Sequence, residues 1–496
     1  MLDSAAGIDP AFVALPLARL ADAALGQAQR RGIRHASVSV VQVRTAASVT
    51  QDGVLRGSKD TTDTGLAVRL RSAGNTGFAA TAALTPEAAA STVDDAIAVA
   101  EAGSVLLPGA EPPPAAERVH RGHWSTPHRI DPFSVPAADR VAKLTEWSAR
   151  LAKAPQVGLV LAKVTCTRDS RFYADLAGTT TLQQRLRIHP QVVAACDGAS
   201  LRSQGPPTAR GWEYLEGEGW DWDAEIEAMP ALLSEKRVAT PVEPGCYDLV
   251  IDPSQLWLTI HESVGHATEL DRALGHETAY AGTTFVSPDQ LGSLRYGSAL
   301  MNVDADRIAP HSLATTGFDD EGVKAQRWPL IEKGVLTGFQ TDRTGAALLG
   351  ADRSTGCSHA ESALHVPIQR MPNVSLLPAP DGPDTARLID GVGDGIYLTG
   401  SDSFSIDARR EDFQFSAQRA YRIRRGRLAG QLSGVAYLGR TRAFWGALGA
   451  LGGQDTYRTF GADRCGKGQP VQAAAASHGS PAAAFAGIRV TNTAAR

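Results

Sequence analysis

Residues 258–270 have the sequence LTIHESVGHATEL, in which two histidines and a glutamate follow directly on an apolar run. His261, Glu262 and His266 form the pattern HExxxH, one residue longer than the HExxH of zinc-binding helices. A neutral imidazole is a good ligand for zinc, and a nearby carboxylate can take a proton from water bound to such a metal. The pattern therefore predicts a metal site. The competing interpretation is an ordinary buried helix whose histidines are satisfied by hydrogen bonds.

The extra residue between the histidines changes their geometry. Residues five apart in a regular α-helix point about 140° away from each other. In a wider π-type turn this difference falls to roughly 50°. If His261 and His266 bind one metal ion, we expect a π-bulge or an unwound turn between them, with Gly265 easing the distortion.

Composition and charge limit the classes of function. The chain has 496 residues, enough for two or three domains, and its net charge of -4 gives no reason to expect a nucleic-acid partner. No apolar run is long enough to span a bilayer, and residues 1–4 lack the basic-then-apolar form of a signal peptide. The 5 cysteines are scattered and odd in number, which argues against a disulfide framework. We therefore expect a cytoplasmic protein that binds neither membranes nor nucleic acid.

Hydrophobic periodicity predicts an α+β fold in three parts. Residues 1–110 form an N-terminal α+β subdomain, and residues 111–238 form a central α+β subdomain. Residues 239–496 form a β-rich C-terminal catalytic domain, in which Asp252 and Pro253 begin the one helix that carries HExxxH. The helices predicted before this domain cover residues 11–31, 86–103, 137–153 and 221–237.

A catalytic zinc ion usually has three protein ligands, so the two histidines need a third. Side chains that offer a ligand atom are found at Glu269, Asp271, His276, Glu277, Asp319, Asp320, Glu321, His359, His478 and Cys465. Cys465 lies in the segment DRCGKGQP, where glycine and lysine favour a tight turn and a thiolate. The competing interpretation is a small buried cysteine in a loop. From the residues alone Cys465 ranks only modestly above the acidic candidates, and the third ligand stays open.

Several motifs in order along the chain resemble the TldD/PmbA family, and in particular its TldD branch of metalloproteases. HESVGH at 261–266 is similar to the HExxxH of that family, and CGKGQP at 465–470 is similar to its C-terminal cysteine motif. GFDDEGVKAQR at 317–327 resembles the family segment G-x-D-D-E-G-x-x-x-x-R. RMPN at 370–373 and FQFS at 413–416 resemble further family landmarks.

This resemblance, which extends from about residue 30 to the C-terminus, implies a site and an activity. It implies that His261, His266 and Cys465 bind Zn2+ and that Glu262 is the catalytic base that activates zinc-bound water. The implied enzyme is a zinc metallopeptidase that hydrolyses unfolded or short peptides. The implied assembly is a heterodimer with a PmbA/TldE-like subunit, or a homodimer.

Two other functions stay open. One is a non-catalytic regulatory or assembly subunit of a TldD/PmbA-type complex, which would lack the metal motif that this chain retains. The other is a zinc hydrolase of a different kind, such as an amidase that acts on a small modified peptide.

Three further residues are candidates for the cleft. His478 follows the cysteine motif and is a candidate donor to an oxyanion. Arg327 would hold a substrate carboxylate, or else pair with the acidic run at 319–321. Asp320, within that run, would orient a ligand histidine, unless the run is a solvated turn ahead of a strand.

Overall fold

The structure of the chain is a computed structural model that describes residues 7–106 and 112–493. Its α-helices are α1 (Pro10–Val13), α2 (Leu17–Arg30), α3 (Pro86–Leu106), α4 (Ala137–Leu151), α5 (Trp222–Arg237), α6 (Pro253–Ile260), α7 (Leu270–Ala273), α8 (Arg343–Leu349), α9 (Thr385–Val392) and α10 (Thr441–Gly446). No helix within these described stretches is long and apolar enough to cross a membrane.

The strands divide into an N-terminal group and a C-terminal group. The N-terminal strands are β1 (Ala36–Gln51), β2 (Val54–Ser72), β3 (Asn75–Thr81), β4 (Arg121–Ser125), β5 (Leu159–Asp175), β6 (Thr180–Cys196) and β7 (Ala199–Arg202). The C-terminal strands are β8 (Thr240–Pro241), β9 (Gly245–Ile251), β10 (Val303–Asp306), β11 (Arg327–Glu332), β12 (Val335–Leu336), β13 (Ser358–His359), β14 (Ile368–Gln369), β15 (Asn373–Leu376), β16 (Gly395–Ile406), β17 (Asp412–Arg424), β18 (Arg427–Ser433), β19 (Val435–Arg440), β20 (Leu448–Leu451), β21 (Arg458–Lys467), β22 (Gln472–Ser480) and β23 (Ala483–Asn492). Helices and strands occur in both halves, so the predicted α+β fold is confirmed.

The N-terminal strands form one largely antiparallel sheet in the order β3-β2-β1-β5-β6-β4, with β7 on β6. A two-residue turn joins β1 to β2 through Asp52 and Gly53, which both have positive φ, as the tight turns of β-hairpins require. Helices α2 and α3 cover one apolar region of the sheet, and α4 and α5 cover another, where Trp147 stacks on Trp222. Four of its strands, β1, β2, β5 and β6, are 16 to 19 residues long.

Strands from both of the predicted N-terminal subdomains belong to this sheet, since β1 pairs with β5 along residues 37–51. The predicted boundary at residue 110 lies outside the described residues, as do the N-terminal residues 1–4. The division into residues 1–110, 111–238 and 239–496 stays a prediction.

The C-terminal half is built around a sheet that closes on itself. Strand β16 pairs with both β9 and β17, and β23 and β19 complete the ring. A closed ring leaves none of these five strands as an open edge. The largest apolar core of the described residues lies here, and it includes Leu256, Ile260 and Val264 from α6 and the turn that follows it.

Candidate metal centre

Helix α6 begins as its sequence predicts. The side chain of Asp252 accepts a hydrogen bond from the backbone N–H of Ser254 at 2.9 Å, and Pro253 occupies the first turn. Leu256, Leu258 and Ile260 are buried, so the helix is fixed within the core before it reaches the histidines. The metal motif is therefore held on a rigid element.

The helix widens at the motif. Residues His261–Gly265 form a π-helical turn, and residues 266–268 tighten into a 3-10 turn, so the predicted π-bulge is confirmed. Gly265 does not ease a backbone distortion as expected, because its φ of -55° and ψ of -62° are ordinary helical values. A Cβ atom at Gly265 would lie 2.5 Å from the sulfur of Met371. The glycine permits this close packing and is not needed for the backbone conformation.

A hairpin from the end of the chain brings Cys465 to this turn. Strands β21 and β22 pair antiparallel, with a register shift between Ala462 and Cys465, and Cys465 lies opposite Ala474. A β-bulge of this kind re-aims the side chain that follows it. Arg370 donates a hydrogen bond to the carbonyl oxygen of Cys465 and another to that of Gln472, at 2.6 Å, which ties the hairpin down.

The three side chains meet in one buried cluster. One ligand atom from each of His261, His266 and Cys465 lies within 4.8 Å of the other two, and the Cys465 sulfur is 3.3 Å from Nε2 of His266. Tetrahedral zinc, with bonds of about 2.1 Å to nitrogen and about 2.3 Å to sulfur, would separate such atoms by about 3.5 Å. Two imidazoles and a thiolate are a donor set typical of zinc. The residues fit the metal that the sequence predicts.

Hydrogen bonds behind His261 set its tautomer. Nδ1 of His478 is 2.9 Å from the carbonyl oxygen of Val374, which can only accept, so this nitrogen carries the hydrogen. Burial, with the nearby His261, lowers the pKa of His478 well below its usual value, so its Nε2 has a free lone pair. Nδ1 of His261 lies 2.7 Å from that Nε2 and donates to it. The lone pair of His261 is therefore on Nε2, as a metal ligand requires.

A carboxylate does the same for His266. Nδ1 of His266 donates to Glu269 at 2.9 Å, which leaves Nε2 free to face Cys465. Glu269 is completely buried, and it also contacts Nε of Arg272 and Nζ of Lys467, each at 3.2 Å. Burial opposes charge on Glu269, but attraction to Lys467 and His266 lowers its pKa well below the usual value. Glu269, one of the possible third ligands, is thus a hydrogen-bond partner behind His266.

The protonation states of the cluster suit a cation. Burial lowers the pKa of His261 and of His266, which keeps both imidazoles neutral. Burial alone would raise the pKa of the Cys465 thiol, but interactions with His266 and Arg370 outweigh it and lower that pKa. The two neutral imidazoles and the thiolate can therefore each donate an electron pair to a metal ion.

Glu262 is held by an arginine that the sequence analysis missed. Nη1 of Arg410 lies 2.6 Å from Oε2 of Glu262, and its Nη2 donates to the carbonyl of Ala281 at 3.2 Å. Arg410 has a φ of 61° in the loop between β16 and β17. Lys467 was noted in the sequence only as a neighbour of the cysteine, yet its ammonium contacts Glu269 and Asp271. These partnerships depend on distant chain segments, so local spacing carries no signal for them.

The three residues proposed for the cleft lie in three different surroundings. His478 is fully buried behind His261, with both ring nitrogens in contact. Arg327 is exposed on β11 and pairs with Asp304 at 2.6 Å. The side chain of Asp320 is 8% exposed and accepts from Nη1 of Arg171 at 2.5 Å, so it joins the N-terminal sheet to the C-terminal half. The histidine that Asp320 contacts, at 3.5 Å, is His359, which is outside the metal cluster.

Two protein-family models and several curated proteins match parts of this chain. Residues 244–492 match a family model described as the PmbA/TldA metallopeptidase C-terminal domain, and residues 36–100 match that of PmbA/TldA metallopeptidase domain 1. A metalloprotease of Methanothermobacter thermautotrophicus is 32% identical over 46% of this chain and 47% of its own length. A protein of Saccharolobus solfataricus named zinc metalloprotease TldD homolog is 27% identical over 42% of this chain and 44% of its own. The matches thus span about half the length of these curated relatives.

The fold has relatives among solved structures as well. The crystal structure of TldE from Thermococcus kodakarensis superposes with a TM-score of 0.70 at 15% identity, over 93% of this chain and 98% of that one. A likeness at this identity shows the fold. The first family match alone covers half of the chain, and it includes HExxxH and the cysteine motif. On this evidence the chain belongs to the PmbA/TldD family of metallopeptidases.

Proposed function

We propose that the chain is a zinc-dependent metallopeptidase that hydrolyses peptide bonds of unfolded or short peptides. The observation that carries the proposal is the buried cluster of His261, His266 and Cys465, with Glu262 on the same widened turn. Three protein ligands leave one tetrahedral position open, as in catalytic zinc sites, whereas structural sites are closed by four. The name of the Saccharolobus relative supports zinc as the metal.

Each residue around the cluster has a distinct task in this proposal. A zinc ion held there would act as a Lewis acid on a carbonyl and lower the pKa of water. Arg410 holds Oε2 of Glu262, which leaves Oε1 to take a proton from the attacking water and pass it to the leaving amine. His478 and Glu269 keep both imidazoles in the tautomer that binds metal.

The space beside the site suits an extended peptide. A cavity of about 260 Å³ is lined by Trp257 and Phe460 and lies between the N-terminal and C-terminal halves. The ring of Trp257 is 6.3 Å from that of His261 and 6.2 Å from that of His478, so the cavity borders the metal cluster. Its volume admits a short extended segment and excludes a folded domain, which supports unfolded or short peptides as substrates.

Cleavage by matched variants tests the proposal. The full-length chain, loaded with one equivalent of zinc, is incubated with an unfolded protein and with the same protein folded. We expect cleavage of the unfolded form alone, loss of at least about a hundredfold in rate for Glu262→Gln, and no change for Glu332→Gln, an exposed glutamate on β11. Zinc should remain bound to Glu262→Gln. Undiminished cleavage by that variant would refute the mechanism, and zinc binding without cleavage by the wild type would refute the peptidase function.

We also propose that the chain works as a dimer in the cytoplasm, with a TldE-like subunit or with a second copy of itself. The fold likeness to TldE supports the assembly, and the free state of Cys166, Cys196, Cys246, Cys357 and Cys465 supports a reducing compartment. Light scattering of the purified chain, alone and mixed with such a subunit, tests the assembly. A chain that stays monomeric in both samples would contradict it.

A further inference from the structure

Four arginines line a recess near the metal centre. Arg185 and Arg187 lie two residues apart on β6, so their side chains share one face of the strand, while Arg307 follows β10 and Arg370 follows β14. The recess has a volume of about 10 Å³, enough for one atom of water size. It shares Arg187 and His359 with a wider cleft of about 120 Å³. We call the inner space the arginine recess.

The arginine recess adjoins the metal ligands. Ala474 lines it and lies directly opposite Cys465 in the β21–β22 hairpin, so the two side chains are on the same face. Met371 also lines it and packs against Gly265 of the π-helical turn. A group that enters the recess would therefore be close to a peptide bond held at the metal cluster.

Arg307 is the unusual member of this set. Its side chain is only 2% exposed, yet within residues 7–106 and 112–493 it has no ion pair and no side-chain hydrogen bond, and its Nε has no partner. A buried guanidinium without a counter-ion is unfavourable, because it has lost its hydration and gained no partner. The recess thus contains a buried cation with no direct ion pair in the described chain.

The nearby carboxylates are engaged elsewhere. Asp319 attracts Arg307, but its oxygens accept from the backbone N–H groups of Glu321, Val323 and Ser358. Burial, with the nearby Glu321, raises the pKa of Asp319, which disfavours negative charge on it. Asp169 accepts from Arg171 at 2.8 Å and from Arg185 at 2.6 Å. Asp463 pairs with His189 at 2.8 Å, and Glu361 accepts from the backbone of Ala473 at 2.6 Å. Arg187, half-buried, has no ion pair among the described residues either. Arg187 and Arg307 therefore form no direct ion pair within the described part of the chain.

Arg187 and its neighbour Arg185 on β6 both have pKa values below the usual range. Burial lowers the pKa of Arg185 to about 10 despite attraction to Asp169, and burial also lowers the pKa of Arg187. Arg171, on the neighbouring strand β5, is buried as well, but attraction to Asp169 and Asp320 outweighs the effect of burial and raises its pKa. Positive charge is under-compensated on the recess side of β6.

We propose that the arginine recess binds a carboxylate of the peptide substrate, and that Arg187 and Arg307 provide the contacts. A carboxylate supplies the missing negative charge, and its oxygen matches the size of the inner space. The source is either an acidic side chain or the free C-terminus of the peptide. This specificity rests on the proposed peptidase function, but binding is measurable without cleavage.

Three peptides of equal length separate the two sources. All are N-acetylated: one is neutral with a C-terminal amide, one has the same amide and a glutamate in place of one neutral residue, and one is the neutral sequence with a free C-terminus. Their dissociation constants are measured on the zinc-loaded full-length chain carrying Glu262→Gln, which keeps them intact. We expect one carboxylate peptide, or both, to bind at least about tenfold more tightly than the neutral one, as charge-assisted hydrogen bonds imply. Equal binding of all three would overturn the proposal.

Variants then assign the preference to the recess. Arg187→Gln and Arg307→Gln should each reduce the preference about tenfold, whereas Arg387→Gln, on the exposed face of α9, should retain it. If Arg307→Gln does not fold, the binding preference of Arg187→Gln, a variant of a half-buried residue, tests the proposal by itself. A carboxylate that binds the zinc ion itself would keep its preference in Arg187→Gln, and that result would overturn the proposal. A chain that shows the preference and cleaves nothing would instead contradict only the peptidase function.

Discussion

Replacement of Glu269 by glutamine tests how strongly the surroundings of the metal cluster control metal binding. Glu269 is completely buried and accepts a charge-assisted hydrogen bond from Nδ1 of His266 at 2.9 Å. Glutamine keeps the shape but removes the negative charge that Arg272 and Lys467 also contact. Loss of a carboxylate behind a ligand histidine typically weakens metal affinity 10- to 100-fold, or about 1.4 to 2.7 kcal/mol.

The affinity for zinc is measured by competition with a chromophoric chelator at pH 7. Asp271→Asn is the matched control, because Asp271 contacts the same lysine at 2.8 Å but does not contact His266. Unfolding of both metal-free variants in urea separates a loss of fold from a loss of affinity. We expect Glu269→Gln to weaken zinc binding more than Asp271→Asn does. Wild-type affinity in Glu269→Gln would refute the role assigned to this carboxylate.

Three further predictions concern packing, pH and tautomer. Gly265→Ala should destabilise the chain by about 1–3 kcal/mol in urea unfolding, because the new methyl group meets Met371, and Met371→Ala should recover part of that loss. His359 has a pKa lowered to about 3 by burial and flanking guanidinium groups, so the unfolded chain binds more protons between pH 3 and 6.5. The free energy of unfolding should therefore fall as pH falls through this range, by up to about 1.4 kcal/mol per pH unit. In His359→Asn this free energy should fall less between pH 7 and pH 5. An equal fall in the variant would contradict the lowered pKa of His359. His478→Phe keeps a buried ring but removes the acceptor for His261, and should weaken zinc binding about tenfold by chelator competition; unchanged affinity would show that the tautomer needs no support.

The start of the metal-binding helix and its widened turn were predictable from local sequence. Asp252 and Pro253 mark a helix start through backbone chemistry that acts within one turn. The five-residue spacing of His261 and His266 requires a π-type turn if both face one ion. The reason for Gly265 was not predictable, because Met371 approaches it from a distant segment.

The partners of the site depend on strand pairing over long distances. Cys465 reaches the histidines through the β21–β22 hairpin, and the residues alone ranked it only slightly above several acidic side chains. His478 was expected in a cleft, but the fold buries it behind His261. Arg410 meets Glu262 from a loop between β16 and β17. Spacing in the sequence does not encode such contacts, and only the family resemblance pointed to the cysteine.

The N-terminal half shows the same limit. Its four long helices were predicted from the hydrophobic periodicity, yet the pairing of β1 with β5 joins segments more than a hundred residues apart in one sheet. The helices α9 and α10 were missed in the β-rich C-terminal half. Both are short, with 8 and 6 residues, which is too few turns for a helical pattern to stand out.

X-ray absorption at the zinc edge of the zinc-loaded full-length chain tests the central claim most directly. We predict one sulfur at about 2.3 Å together with nitrogen and oxygen ligands at about 2.0–2.1 Å, and loss of the sulfur in Cys465→Ala. A wild-type spectrum without sulfur, or one that Cys465→Ala leaves unchanged, would contradict the proposal that His261, His266 and Cys465 hold one zinc ion.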